Sequence, residues 1–291
     1  MPYLTMEVEP PMLYLFLAIS CSALVSLVMR LSEKYTGGGL GKLAVNYIMC
    51  CALAFLSAPA PQSIFAPGPG LGLTLGLGAV NGVLYLAGFV LLQRNIARNG
   101  VVLPSPFMKL GVLVPTALSI LVFRETPRAV QLLGMAAAIA AIFILQGKSD
   151  GRRENRSIPG LILLLLSGGT ADAMSKVFEE ANIPAFKDAF LLTTFFSALV
   201  LCVLLCVIRR QRPDWKEVLF GLLLGVPNYF SSRFLLLSLA EVPAMVAYPS
   251  FSVGTIVLVS AAGVLFFREK LSRRKLCAIG LILIALVLLN V

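Results

Sequence analysis

The chain alternates between long apolar runs and short polar or basic segments. Each run has about 20 residues, the length that a helix needs to cross the hydrocarbon core of a membrane. The pattern predicts ten membrane-spanning helices, at residues 12–31, 40–58, 71–93, 100–122, 128–146, 159–178, 185–208, 216–239, 243–267 and 273–290. Because these runs take up most of the 291 residues, we expect a single all-α polytopic membrane domain over residues 1–291, without a soluble catalytic domain.

A three-residue motif, Phe-Arg-Glu, occurs at 123–125 and again at 267–269, each time before the last apolar run of a five-run half. Other residues share this spacing of 144 positions, namely Tyr85 with Tyr229 and Phe107 with Phe251. We therefore interpret residues 12–146 and 159–290 as two copies of one five-helix unit. Because five is odd, the second copy enters the membrane from the opposite side. Such inverted-topology repeats are typical of transporters.

The basic residues are concentrated in the connections on one side of the membrane. The connections after spans 1, 3, 5, 7 and 9 carry 18 Lys and Arg residues, whereas the opposite side carries Arg124, Arg128 and Lys187. The positive-inside rule predicts that the first side is cytoplasmic and that both termini face outward. The net charge of +10 therefore reflects membrane orientation, and we expect no nucleic-acid partner. The expected partners are the lipid bilayer and a small solute, with the chain as a monomer or homodimer.

The composition argues against metal and enzyme chemistry. The chain has no His, and its six Cys residues all lie in apolar runs, so we interpret them as packing residues rather than metal ligands or disulfides. An intramembrane enzyme such as a lipid-modifying transferase would need paired acids, a His-containing dyad or a metal site. We therefore expect no enzyme, no cofactor and no metal.

With these features the chain resembles the drug/metabolite transporter superfamily, and within it the EamA-like family. The resemblance rests on ten helices in two repeated halves and on an acidic residue after helices four and nine, in Phe-Arg-Glu-Thr at 123–126 and Phe-Arg-Glu-Lys at 267–270. It implies a multi-pass transporter of the plasma membrane, mainly bacterial, and says little about the solute. Members are often drawn with cytoplasmic termini, a point on which the charge count here differs.

Proline interrupts span 4 at Pro104 and Pro106, and span 9 at Pro249. A proline frees a backbone carbonyl one turn earlier, and in lipid that group needs protein, water or ligand as a partner. Such interruptions at matching places predict a central, water-filled cavity. Lys109 shares a helix face with Ser105 in span 4, so we expect it to line the cavity. The alternative is a lysine that backbone carbonyls hold for structural reasons.

Three further charged residues lie within apolar runs, where a charge costs at least about 2.5 kcal/mol. Asp172 and Lys176 are four residues apart in span 6, so the two side chains can pair. Asp172 would be the natural carrier if transport is coupled to protons; the alternative is a static ion pair. Arg233 in span 8 can bind an anionic solute through its planar guanidinium or extend to the membrane surface.

We predict a secondary transporter that moves an anionic or zwitterionic polar metabolite by alternating access, because the deep charges are three positive and one negative. Its cavity would be lined by spans 1, 3, 4, 6, 8 and 9. The predicted binding residues are Asn81, Tyr85, Phe107, Lys109, Asp172, Lys176, Asn228, Tyr229, Arg233 and Phe251.

For Asn46 we expect a hydrogen bond between helices. Glycine pairs at 72/76, 78/82 and 221/225 predict close packing of helices 3 and 8. The alternatives are a lipid-headgroup flippase, a multidrug exporter of the same fold, and a non-transporting sensor or assembly partner.

Overall fold

The computed structural model describes residues 11–36, 39–114, 128–146, 158–181, 183–239, 244–268 and 272–289. Within these ranges all regular structure is helical, with ten α-helices and three short 3-10 turns. The helices are α1 Pro11–Thr36, α2 Leu40–Leu56, α3 Leu71–Asn99, α4 Pro104–Lys109, α5 Ala129–Gln146, α6 Ile158–Glu180, α7 Lys187–Ile208, α8 Trp215–Leu239, α9 Ala244–Phe267 and α10 Arg273–Leu289. The 3-10 turns are Pro61–Ser63, Leu110–Val112 and Pro184–Phe186.

The helices have the length and surface of a protein that crosses a membrane several times. Among the described residues, α1, α3, α6, α7, α8 and α9 each contain a stretch that is long and apolar enough to span the bilayer, and α2 and α10 are shorter apolar helices. Large apolar side chains such as Phe16, Phe196 and Leu265 are exposed on the outer surface. In water such an apolar surface would promote aggregation, whereas lipid solvates it. The chain is therefore an integral, multi-pass membrane protein.

Most of the packing joins the first five helices to the last five. α1 lies against α8 and α9, α2 lies against α7 and α8, and α3 lies against α6 and α7. α4 packs on α6, and α5 packs on α10. The main apolar core follows these interfaces and includes the fully buried Tyr47, Phe195 and Tyr229.

Glycines allow two of these interfaces to close. A side chain at Gly82 on α3 would come within 2.5 Å of the Thr194 carbonyl oxygen on α7. A side chain at Gly225 on α8 would come within 2.5 Å of Met49 on α2. Glycine is needed at both positions because the backbones approach too closely for a Cβ atom. The 78/82 and 221/225 pairs thus allow close packing as predicted, with α7 and α2 as the partners.

Two sequence predictions about α3 and α9 differ from the structure. For the 72/76 pair the prediction of close packing is wrong, since a Cβ at Gly72 or Gly76 would meet none of the described atoms within 4 Å. These glycines lie in the first two turns of α3, where other residues such as Leu71 and Thr74 make the packing contacts. The predicted break in span 9 is also absent, because α9 is helical on both sides of residue 249. A proline in the sixth position of a helix removes one amide donor and need not end the helix.

Span 4, by contrast, is interrupted as predicted. α4 is six residues long, begins at Pro104 and passes into the 3-10 turn Leu110–Val112. Residues 115–127, which include Thr116 and the first Phe-Arg-Glu motif, lie outside the described residues, as does Glu269 of the second motif.

Candidate functional site

A cavity of about 140 Å³ lies in the middle of the helix bundle. Its lining comes from α1, α3, α4, α6, α7, α8 and α9. We expected the first, third, fourth, sixth, eighth and ninth helices in this lining. α7 contributes as well, through Phe190, Leu191 and Thr194. One water needs about 10–15 Å³ measured in the same way, so the cavity has room for roughly ten waters or a solute of similar size.

The charged side chains of the lining are Lys109 on α4 and Asp172 on α6. They lie close enough for the two charges to attract each other. The Lys109 ammonium nitrogen is 3.7 Å from the centre of the Phe251 ring, which also lines the cavity. An ammonium over an aromatic face is attracted by the ring quadrupole. Among the described residues, the lining thus brings together a cation, an anion and the aromatic ring under the cation, from three different helices.

The four-residue spacing predicted a pair between Asp172 and Lys176. The Lys176 side chain lies outside the described residues, so this pair stays a prediction. The attraction that the structure does place at Asp172 comes from Lys109. The break at Pro104 and Pro106 lets the short α4 present its lysine toward α6, against which α4 packs.

Hydroxyl and amide groups form the opposite wall. The Tyr85 hydroxyl lies 3.3 Å from the Ser232 hydroxyl, and Ser232 in turn donates to the Asn228 carbonyl oxygen. The Asn228 side-chain amide donates to the Asn46 side-chain oxygen at 3.2 Å, so the interhelical hydrogen bond expected for Asn46 is confirmed. This series of contacts joins α3, α8 and α2 beside the cavity.

Asn81 also lines the cavity, on the same wall as Tyr85. Among the described residues, its side-chain oxygen and the Thr194 hydroxyl are buried polar atoms without a hydrogen-bond partner. Thr194 was not among the predicted residues, since two adjacent threonines in an apolar helix have no distinctive pattern. Such atoms are uncommon in folded proteins and are found at functional sites.

Three of the predicted residues lie outside the cavity lining. Phe107 is buried in a separate apolar cluster with Leu103, Leu161 and Ala278. Tyr229 is fully buried and contacts Tyr85 only through Phe195, whose ring centre lies 5.9 Å from that of Tyr85 and 6.3 Å from that of Tyr229. The two repeat-related tyrosines are therefore separated by a phenylalanine.

Arg233 is the third. One of its guanidinium nitrogens lies 2.9 Å from the Asp188 carboxylate and donates to the Tyr229 hydroxyl, also at 2.9 Å. The other donates to the Ser57 carbonyl oxygen at 3.0 Å. Neither role proposed from the sequence describes this arrangement, in which the guanidinium has an internal carboxylate as its partner.

Sequence reasoning missed a second charged cluster. Lys42, one of the 18 basic residues that we counted in the connections, lies in the first turn of α2 and is fully buried. Its ammonium contacts the Ser32 hydroxyl and lies 3.5 Å from the Glu33 carboxylate. Glu217 on α8 is also buried and close enough to attract Lys42. In the sequence, Glu33, Lys42 and Glu217 lie near the ends of three predicted spans, a pattern that does not indicate that they meet.

Comparison with known proteins agrees with this architecture. Residues 156–291 match the model of the EamA-like transporter family. An uncharacterized protein of Haemophilus influenzae (strain ATCC 51907 / DSM 11121 / KW20 / Rd) is 26% identical over 274 residues, which are 89% of this chain and 91% of that protein. A solved crystal structure of a protein is similar with a TM-score of 0.60 and 17% identity, over 96% of this chain and 95% of that one. The last likeness is one of fold alone.

Proposed function

Since residues 156–291 match the model of the EamA-like transporter family, we propose that this membrane protein is a secondary transporter that moves a small polar solute by alternating access. The observation that carries the proposal is the central cavity with Lys109, Asp172 and Phe251 in its lining. A charge in the middle of a membrane protein is costly and usually faces a solute or ion pathway.

We propose further that the chain is built from two inverted five-helix halves with ten spans. The helix contacts support this layout because the largest ones have counterparts in which the halves exchange roles. α1 on α8 corresponds to α6 on α3, α2 on α8 corresponds to α7 on α3, and α1 on α9 corresponds to α6 on α4. The pairs α2–α7 and α5–α10 join equivalent helices. This is the pattern that a two-fold axis between the halves would produce.

The charge balance of the cavity favours a zwitterionic solute over a purely anionic one. The sequence suggested three deep cations and one anion. In the structure Arg233 is paired with Asp188 outside the lining, and the described lining residues carry one cation and one anion. A solute with both charges can meet Lys109 with its anionic group and Asp172 with its cationic group. The volume suits a solute of roughly ten non-hydrogen atoms.

We propose coupling to protons through Asp172, and a bacterial inner membrane as the location. The first rests on the position of this carboxylate in the cavity, and the second on the likeness to a protein of Haemophilus influenzae. Export of lipophilic cations fits the cavity less well, because Lys109 places a like charge in the lining and its ammonium lies over the Phe251 ring.

Uptake into proteoliposomes tests the function. The panel would contain zwitterions, organic anions, sugars, nucleotides and one lipophilic cation, each with and without an inward acid gradient. We expect saturable uptake of a zwitterion, loss of that uptake in Lys109→Gln, and normal uptake in Lys216→Gln, whose lysine lies beside Trp215 at the start of α8. Uptake of the cation alone would contradict the proposed selectivity, and the absence of any uptake would contradict a transport function for these solutes.

A further inference from the structure

Two charged clusters outside the cavity hold opposite ends of α8. At the first end, the buried Glu217 accepts the Asp214 amide at 3.2 Å, and its carboxylate lies against the start of α2. A Cβ at Gly41 would come within 2.7 Å of a Glu217 oxygen, so glycine leaves the space that this carboxylate occupies. Lys42 then links α2 to Glu33 at the end of α1. This cluster, which we name the Lys42 latch, joins α1, α2 and α8.

At the second end, Arg233 joins α8 to the first turn of α7 through Asp188 and to the end of α2 through the Ser57 carbonyl. We name this cluster the Arg233 latch. Glu217 and Arg233 are 16 residues apart on one helix, which is about 24 Å at 1.5 Å per residue. The hydrocarbon core is about 30 Å thick, so the two latches lie near opposite membrane surfaces.

The latches come from equivalent places in the two halves. Lys42 is the third residue of α2, and Asp188 is the second residue of α7. The two helices pack on each other, and α2 packs on α8 as α7 packs on α3. Their charges are opposite, and each meets its complement on α8. A single helix therefore receives one charged contact from each half, at opposite ends.

The latches differ in their access to water. Lys42 is 0% and Glu217 is 8% exposed, whereas Arg233 and Asp188 are 19% and 32% exposed as side chains. The cavity is lined by α8 from Asn228 to Leu236 and by α7 from Phe190 to Thr194, so it lies beside the Arg233 latch. The protein between the cavity and the membrane surface is thus thinner at the Arg233 latch than at the Lys42 latch, and its charged side chains are more exposed.

We propose that the two latches close the cavity toward opposite membrane surfaces and open in alternation, an inference that rests on the transporter function proposed above. Charges removed from water are stable while they are paired, and a separated buried charge is strongly destabilising. Each latch therefore separates only when water enters that end of the bundle. Because α8 carries both latches, a tilt of α8 that separates one keeps the other closed.

Amide hydrogen exchange of the purified protein tests the proposal without a known solute, so it stays informative if the uptake panel fails. In Asp188→Asn we expect at least tenfold faster exchange in the first turns of α7, residues 187–195, and unchanged or slower exchange in the first turns of α2, residues 40–46. In Glu217→Gln we expect the reverse pattern. The neighbouring substitutions Lys187→Gln and Lys216→Gln serve as matched controls and should change neither segment.

If Asp188→Asn does not fold, Arg233→Lys is the second variant, because it keeps the charge and loses the planar fork that reaches Ser57 and Tyr229. Faster exchange in α7 alone would support the proposal. Faster exchange in both segments in either variant would overturn it, and so would no change in both variants. If the α2-side and α7-side variants give opposite exchange patterns and no solute of the panel is taken up, the two latches are supported and the transport function is rejected.

Discussion

The Lys109 ammonium lies 3.7 Å from the centre of the Phe251 ring, and this contact joins α4 of the first half to α9 of the second. A cation over an aromatic ring contributes about 0.5–1 kcal/mol when exposed and about 2 kcal/mol when desolvated. Since both residues line the cavity, the contact fixes the lysine where a solute would meet it.

Phe251→Leu should therefore weaken solute affinity. We expect the KM of uptake to rise between several-fold and about thirty-fold, which corresponds to the loss of up to about 2 kcal/mol. The matched control is Phe107→Leu, at the equivalent position of the first half, where the phenylalanine is buried outside the cavity. That variant should lower stability and leave KM unchanged. Equal KM values in the two variants would show that Phe251 does not act on the solute.

Arg233→Gln should affect stability more than affinity. The substitution leaves Asp188 without its cation and removes hydrogen bonds to Tyr229 and Ser57. Hydrogen bonds to charged groups contribute about 1.5–3 kcal/mol, so we expect a clear fall in melting temperature in detergent. Arg98→Gln, at the end of α3, is the control and should melt normally. A large rise in KM with an unchanged melting temperature would instead assign Arg233 to the solute.

Gly82→Ala and Gly72→Ala should behave differently although both lie on α3. The new methyl at position 82 would meet the Thr194 carbonyl at 2.5 Å, and overpacking of this kind costs about 1–3 kcal/mol. The methyl at position 72 would meet no described atom within 4 Å. We expect the melting temperature to fall for the first variant and to stay the same or rise slightly for the second. Similar values for both would mean that the α3–α7 contact is looser than described.

Asp172→Asn should uncouple uptake from the proton gradient. The amide cannot release a proton, so an inward acid gradient should no longer accelerate uptake, while exchange of solute at equal pH continues. Asp214→Asn is the control, because Asp214 caps the start of α8 away from the cavity. A gradient response that survives in Asp172→Asn would exclude this carboxylate as the proton carrier.

The sequence was sufficient for the helical class and for the charged residues of the cavity. Lys109 and Asp172 stand out because a charge within an apolar run is too costly to be incidental, and the structure places both in the lining. Except for span 4, the runs likewise predict helices whose ends lie within six residues of the observed bounds. These are local properties, so a single segment contains the information.

The partners of the other charges could not be read in the same way. Arg233 and Asp188 are 45 positions apart, and nothing near either residue indicates that they meet. Lys42 at a helix start has the same local pattern as a lysine that extends to the membrane surface, yet acidic residues of α1 and α8 hold it in the interior. Phe107 and Phe251 share the spacing of 144 positions, yet Phe107 lies in an apolar cluster and Phe251 lines the cavity.

The interleaved packing has a consequence for how the chain is made. The principal contacts of α2 are with α7 and α8, which the ribosome delivers long after α2 itself. Until then Asn46 lacks Asn228 and Lys42 lacks Glu217, and the grooves that will receive Gly221 and Gly225 are filled by lipid. The first five helices are therefore an incomplete insertion intermediate with polar groups in the bilayer, and a truncated product should be recognised by membrane quality control rather than persist as a stable half.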